Sequence, residues 1–270
     1  MPDTGVERAR IQQAGRYQAE AYLAGRPLDL MQQHFAPTTQ DAAYRVQQKF
    51  IERLSQTRGS LGGYKIAYTS AVMRESRGIS APCSGRIFAS TITRSPAALN
   101  SADYVKLAIE CEVGVRLASQ VPASGAPYTR GSIAPHIESL MTAFEIVDMR
   151  PAGAPDGADP AVSSIVTNIS NGGAVLGREV RDWQGIDLAA SRGTMTINGV
   201  QVGEGHGSDV MGHPLEALVW LANQLAARGE SIPAGAIVIT GSIIPPTPLN
   251  AGDTATISIE GLGDAQIKVS

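Results

Sequence analysis

Between Val105 and Leu117 the chain alternates: Val105, Leu107, Ile109, Cys111, Val113, Val115 and Leu117 are apolar, and Lys106, Glu110, Glu112 and Arg116 fall between them. A period of two marks a β-strand with unlike faces. A strand needs neighbours for its backbone groups, so this run alone requires a sheet with a core on one side. On the other side Glu110 and Glu112 share a face, roughly 7 Å apart along the strand, with Gly114 leaving room beside them. Such a pair either meets water, as on any half-solvated sheet, or closes on a hard cation such as Mg²⁺ or Mn²⁺ that takes oxygen ligands.

More β-like runs, punctuated by Gly and Pro, follow Gly62-Gly63: Tyr64 to Thr69, Thr194 to Val202, Ala236 to Thr240, Thr254 to Ile259 and Ala265 to Val269. Asn198-Gly199 between apolar residues predicts a two-residue hairpin turn. Upstream the texture is helical. One helix is expected from Val6 to Leu23, and a second starts at Thr38 or Thr39 with Ala43, Val46, Phe50 and Leu54 at helical spacing and Gly59 after its end. Residues 1–60 therefore form an expected N-terminal helical segment and residues 61–270 the main domain, giving a mixed α/β, β-rich fold. Two later helices are predicted. One runs from Ile133 to Phe144, with Ile133, Ile137, Leu140 and Phe144 on one side. The other opens at Pro214 and ends at Gly229. Residues 151–161, rich in Pro, Gly and Asp, suggest a loop or lid, and Gly203 to Gly207 suggest a flexible loop.

Glu145 falls where that predicted helix gives way to Phe144-Glu145-Ile146-Val147. It is either a solvent-facing carboxylate at a helix end or a third ligand, since a carboxylate in an apolar run is costly to bury unpaired. Lys65, in Gly63-Tyr64-Lys65-Ile66-Ala67, either points outward from its strand or, buried near a metal site, binds a carboxylate or moves protons. The histidines offer no metal spacing, and His213 before Pro214 is either a helix N-terminal contact or a catalytic residue. No Gly-x-Ser-x-Gly elbow is present, and Cys83 and Cys111 are too few for a disulfide framework.

The chain has 22 basic and 25 acidic residues, for a net charge of -3, without a basic cluster. That disfavours nucleic acid or an anionic membrane as a partner. With no apolar leader and no run approaching about 20 apolar residues, the expected location is the cytoplasm.

Several segments fall in a recognisable order: Gly63-Tyr64-Lys65-Ile66-Ala67-Tyr68-Thr69-Ser70, Gly85-Arg86-Ile87-Phe88, Ile109-Glu110-Cys111-Glu112, Phe144-Glu145-Ile146-Val147, Gly212-His213-Pro214-Leu215, Thr240-Gly241-Ser242 and Gly261-Leu262-Gly263. From about residue 38 onward this series resembles the fumarylacetoacetate hydrolase superfamily, in particular its hydratase/decarboxylase branch. The resemblance implies a β-rich roll, usually oligomeric, here a homo-oligomer. It implies Mg²⁺ or Mn²⁺ on Glu110, Glu112 and Glu145, Lys65 in the active site, and Thr240, Gly241 and Ser242 near a 2-oxo acid substrate. The implied reaction is hydration of a 2-hydroxy-2,4-dienoate (2-oxo-4-enoate) to a 4-hydroxy-2-oxo acid. Decarboxylation of an oxalocrotonate-like diacid and C–C hydrolysis of an acylpyruvate are the alternatives. Many hydratases of the branch carry Asp at two places where this chain has Cys83 and Thr167.

Overall fold

The computed structural model describes residues 5–150 and 155–270. Helices α1 (Gly5–Leu23) and α2 (Gln40–Arg58) come first and pack on each other. The Thr39 side chain caps α2 by accepting from the Ala42 N–H, and Ala43, Val46, Phe50 and Leu54 form its buried stripe. Then follow β1 (Leu61–Ala67), α3 (Ala71–Arg77), β2 (Cys83–Phe88), β3 (Ile92–Arg94), β4 (Ala97–Leu99) and β5 (Leu107–Leu117). The one-turn α4 (Arg130–Ile133), β6 (Ile137–Asp148), α5 (Pro160–Val166) and β7 (Asn171–Leu176) come next. Hairpin β8 (Arg192–Ile197) and β9 (Val200–His206), α6 (Pro214–Ala226), β10 (Ile237–Pro248), β11 (Thr254–Ile259) and β12 (Gly263–Val269) complete the chain.

The strands form two sheets, a seven-stranded one in the order β2-β1-β10-β5-β6-β7-β3 and a five-stranded one in the order β4-β12-β11-β8-β9. The odd residues of β5, from Leu107 to Leu117, join Met195, Ile243, Ala255, Ile257 and the apolar stripe of α6 in the main core. The opposite face of the large sheet carries Met141, Ala143, Ala174, Ile237 and Ile239 as a separate cluster. A third cluster joins α1, α2 and α5 through Ile11, Val46, Val162 and Ile165. Gln47 ties these helices to the sheet, donating both to the Ser84 carbonyl at the end of β2 and to the Ile165 carbonyl of α5.

Three expectations change. The helix predicted for Ile133–Phe144 exists only as α4, and from Ile137 the chain is strand β6. That strand lies between β5 and β7 and is buried on both faces, so no alternation reveals it. Apolar residues at spacings of three and four then imitate a helix. Gly203, Glu204 and Gly205 extend strand β9 rather than forming a loop, and Gly203 and Gly205 give close approach to Ile244 and Ile243. Of the proposed lid, residues 151–154 lie outside the described residues, and Pro160 already opens α5, capped by the Asp159 side chain. The Asn198-Gly199 turn forms as expected, both residues having positive φ, 52° and 80°. His213 caps α6, its Nδ1 accepting from the Leu215 N–H at 3.1 Å.

Candidate metal centre and cleft

Five consecutive neighbours in the large sheet, β1, β10, β5, β6 and β7, bring the polar groups together. Alternation puts Glu110 and Glu112 on the β5 face opposite the main core. The antiparallel register sets Glu145 of β6 directly across from Glu110. Glu145 is therefore a mid-strand residue, not one at a helix end. One oxygen from each of Glu110, Glu112 and Glu145 lies within 4.8 Å of the others. Glu112 and Glu145 are fully buried, while Glu110 is half-buried and opens into a cleft.

Each buried carboxylate is oriented by a neighbouring strand. The Gly241 N–H of β10 donates to Glu112 Oε2 at 2.6 Å, and Asn171 at the start of β7 donates to Glu145 Oε1 at 3.1 Å. Lys65 Nζ of β1 lies 3.0 Å from Glu145 Oε2. Gly241 has φ 107°, and a Cβ there would meet the Thr69 hydroxyl at 2.4 Å, so only glycine brings that N–H so close. Glu112 Oε1 has no hydrogen-bond partner among the described residues.

Three carboxylates outnumber the single lysine. Burial first, then the Glu145 charge, pushes the Glu110 carboxyl up to about 8. Burial and the Glu145 and Glu110 charges hold Glu112 well above the usual carboxylate range. Burial alone would lower the Lys65 ammonium, but Glu145, Glu110 and Glu112 outweigh it and raise it above its ordinary value. Lys65 is thus a fixed cation. The orphaned oxygen and the surplus of convergent negative charge fit a divalent cation bound by hard oxygen donors.

The cleft above the carboxylates has a volume of about 300 Å³ and is lined by Lys65, Tyr68, Glu110, Ser164, Thr167, Ile169, Ser170 and Ser242, among others. Asn168, Ile169 and Ser170 are all left-handed, with φ of 52°, 52° and 57°. Such a run is costly for L-residues, above all for a β-branched one, and occurs where function imposes it. Of the Thr240-Gly241-Ser242 turn, only Ser242 lines the cleft. Thr240 is fully buried and donates to the Val113 carbonyl, and Gly241 acts through Glu112. Cys83 is buried in the helical cluster, and burial pushes its thiol up to about 12. Thr167 lines the cleft with its hydroxyl donated to the Ser164 carbonyl. Asn171, Tyr68 and Ser164 were not singled out in the sequence.

Residues 68–270 match the family of the fumarylacetoacetate (FAA) hydrolase C-terminal domain, and the chain belongs to that family. It is 31% identical over 261 residues to a 2-hydroxyhexa-2,4-dienoate hydratase from Comamonas testosteroni, covering 96% of this chain and 97% of that one. The similarity thus reaches through the N-terminal helices, upstream of residue 38. A 4-oxalocrotonate decarboxylase from Pseudomonas putida is 26% identical over 226 residues, 84% of each chain. Among solved structures, 4-oxalocrotonate decarboxylase from Pseudomonas putida G7, complexed with magnesium and adipate, superposes with a TM-score of 0.87 at 26% identity over 97% of this chain and 98% of that one. The β-rich roll with its helical preface is the fold of this family.

Proposed function

We propose that the protein is a divalent-metal-dependent hydro-lyase that adds water to a 2-hydroxy-2,4-dienoate and releases a 4-hydroxy-2-oxo acid. The observation that carries this reading is the convergence of Glu110, Glu112 and Glu145 beneath a cleft, with one buried carboxylate oxygen unpartnered. The hydratase relative matched over almost the whole chain supplies the reaction class. A Mg²⁺ or Mn²⁺ ion held by the three glutamates would supply a Lewis acid for the carboxylate and 2-oxo oxygens of the substrate.

The chain's own residues do the rest. Lys65 and Asn171 orient Glu145, and the Gly241 N–H does the same for Glu112. Ser170 lines the cleft and can seat the attacking water, whereas the Ser242 hydroxyl donates to the Ile244 carbonyl. Cys83 keeps its proton at neutral pH and Thr167 does not ionise, so neither replaces the Asp that many relatives carry. The proton then moves through water in the cleft instead.

Decarboxylation of an oxalocrotonate-like diacid is the second reading, favoured by the close superposition on the decarboxylase. Hydrolysis of an acylpyruvate has less support, because among the described residues no histidine lines the cleft to serve as base. The test is turnover of 2-hydroxypenta-2,4-dienoate with Mg²⁺, against Lys65→Ala and chelator controls. Loss of the dienoate with formation of 4-hydroxy-2-oxopentanoate is expected. An intact dienoate with a fully loaded metal site would refute hydration.

A further inference from the structure

Two cationic side chains line the cleft, Lys65 and Arg77. Lys65 is committed to Glu145. Arg77 is exposed and has no carboxylate, carbonyl or ring partner among the described residues. It sits in the last turn of α3, four residues after Met73, and both side chains line the cleft, as one face of a helix requires.

The helix that carries Arg77 is pinned in place. Ser70 caps its start, and the Arg74 Nη1 donates to the carbonyls of Tyr68 and Thr69 at 2.7 and 2.9 Å. Those two residues directly follow β1, the strand that carries Lys65. Arg74 is therefore used in anchoring α3 to the sheet, and Arg77 is left over on the rim. The cleft wall also includes Tyr68 and Ser164, whose hydroxyls lie 2.6 Å apart, and Ser70. An unpaired guanidinium in the cleft wall has no use on a substrate with a plain hydrocarbon tail.

The charge balance points the same way. A divalent ion together with Lys65 offsets the three glutamates, leaving the cleft floor neutral and the Arg77 charge unspent. Resting on the 2-oxo acid reading above, we propose that Arg77 binds a second carboxylate at the far end of the substrate, so that the site prefers a 2-oxo dicarboxylate to the monocarboxylate of equal length. A guanidinium suits that role because its planar fork meets a carboxylate with two parallel hydrogen bonds.

Titration calorimetry of the Mg²⁺-loaded protein with 2-oxoadipate and with 2-oxohexanoate tests this without turnover, the two acids having equal length and differing in the distal carboxylate. The expected result is binding of the diacid about 10- to 100-fold tighter than the monoacid. Arg77→Met should bring the diacid down to the level of the monoacid and leave the monoacid unchanged, while Arg77→Lys keeps part of the difference. Equal affinities in the unaltered protein, or a preference that survives Arg77→Met, would overturn the assignment. Binding of neither acid to the metal-loaded protein would instead overturn the 2-oxo acid reading and this assignment with it.

Discussion

Glu145 is gripped from two sides, by Asn171 on one oxygen and Lys65 on the other, deep in a sheet buried on both faces. A buried carboxylate that ligates a cation depends on such outer partners for its direction. Asn171→Ala should therefore weaken Mg²⁺ binding about 10-fold in a calorimetric titration, and an unchanged isotherm would remove Glu145 from the ligand set. At this scale the sequence was informative where chemistry stood out against its surroundings. Glu110 and Glu112 interrupt an apolar alternation, and Lys65 is the lone charge among glycines and apolar residues. Asn171 was not legible, because its role depends on which strand lies beside Glu145, and nothing local encodes that pairing. The same holds for Arg77, an ordinary helix-end arginine until α3 is seen folded onto the cleft.

Among the elements, β6 shows how burial hides a strand. Its residues run Ile137-Glu-Ser-Leu-Met-Thr-Ala-Phe-Glu-Ile-Val-Asp148, and nearly all are buried whichever face they occupy. With both faces covered there is no polar phase to read, and a helical spacing of the largest residues takes over. Strand β5 has the same depth but keeps a polar phase at the carboxylates, so its face assignment was readable. The β10 turn depends on backbone geometry instead. Gly241→Ala would force a side chain into Thr69 at a φ that alanine resists. Roughly 1–3 kcal/mol of stability should be lost, seen as a lower melting temperature. Because the same N–H orients Glu112, metal affinity should fall as well. A variant that melts lower but binds Mg²⁺ normally would show that the Gly241–Glu112 bond does not shape the site.

For the whole molecule, the acidic cluster couples stability to pH. Glu110 releases its proton near 4.5 in an unfolded chain but holds it to about 8 in the fold. Between those values the native state binds more protons than the unfolded one, so stability of the metal-free protein must fall as pH rises. Melting temperatures measured in chelator should drop from about pH 5 to about pH 8, and saturating Mg²⁺ should abolish most of that drop by binding the native state alone. A metal-free protein that melts at the same temperature across that range would contradict the crowding of negative charge described here.

The five site-bearing strands are far apart along the chain, from Lys65 at one extreme to Gly241 at the other. During synthesis an ion held by the three glutamates would have no complete cradle to enter until the tenth strand has left the ribosome and docked between the first and the fifth. Cation capture would in that sense be a seal applied late, and a refolding experiment that follows bound ion would be timing the closure of the large sheet.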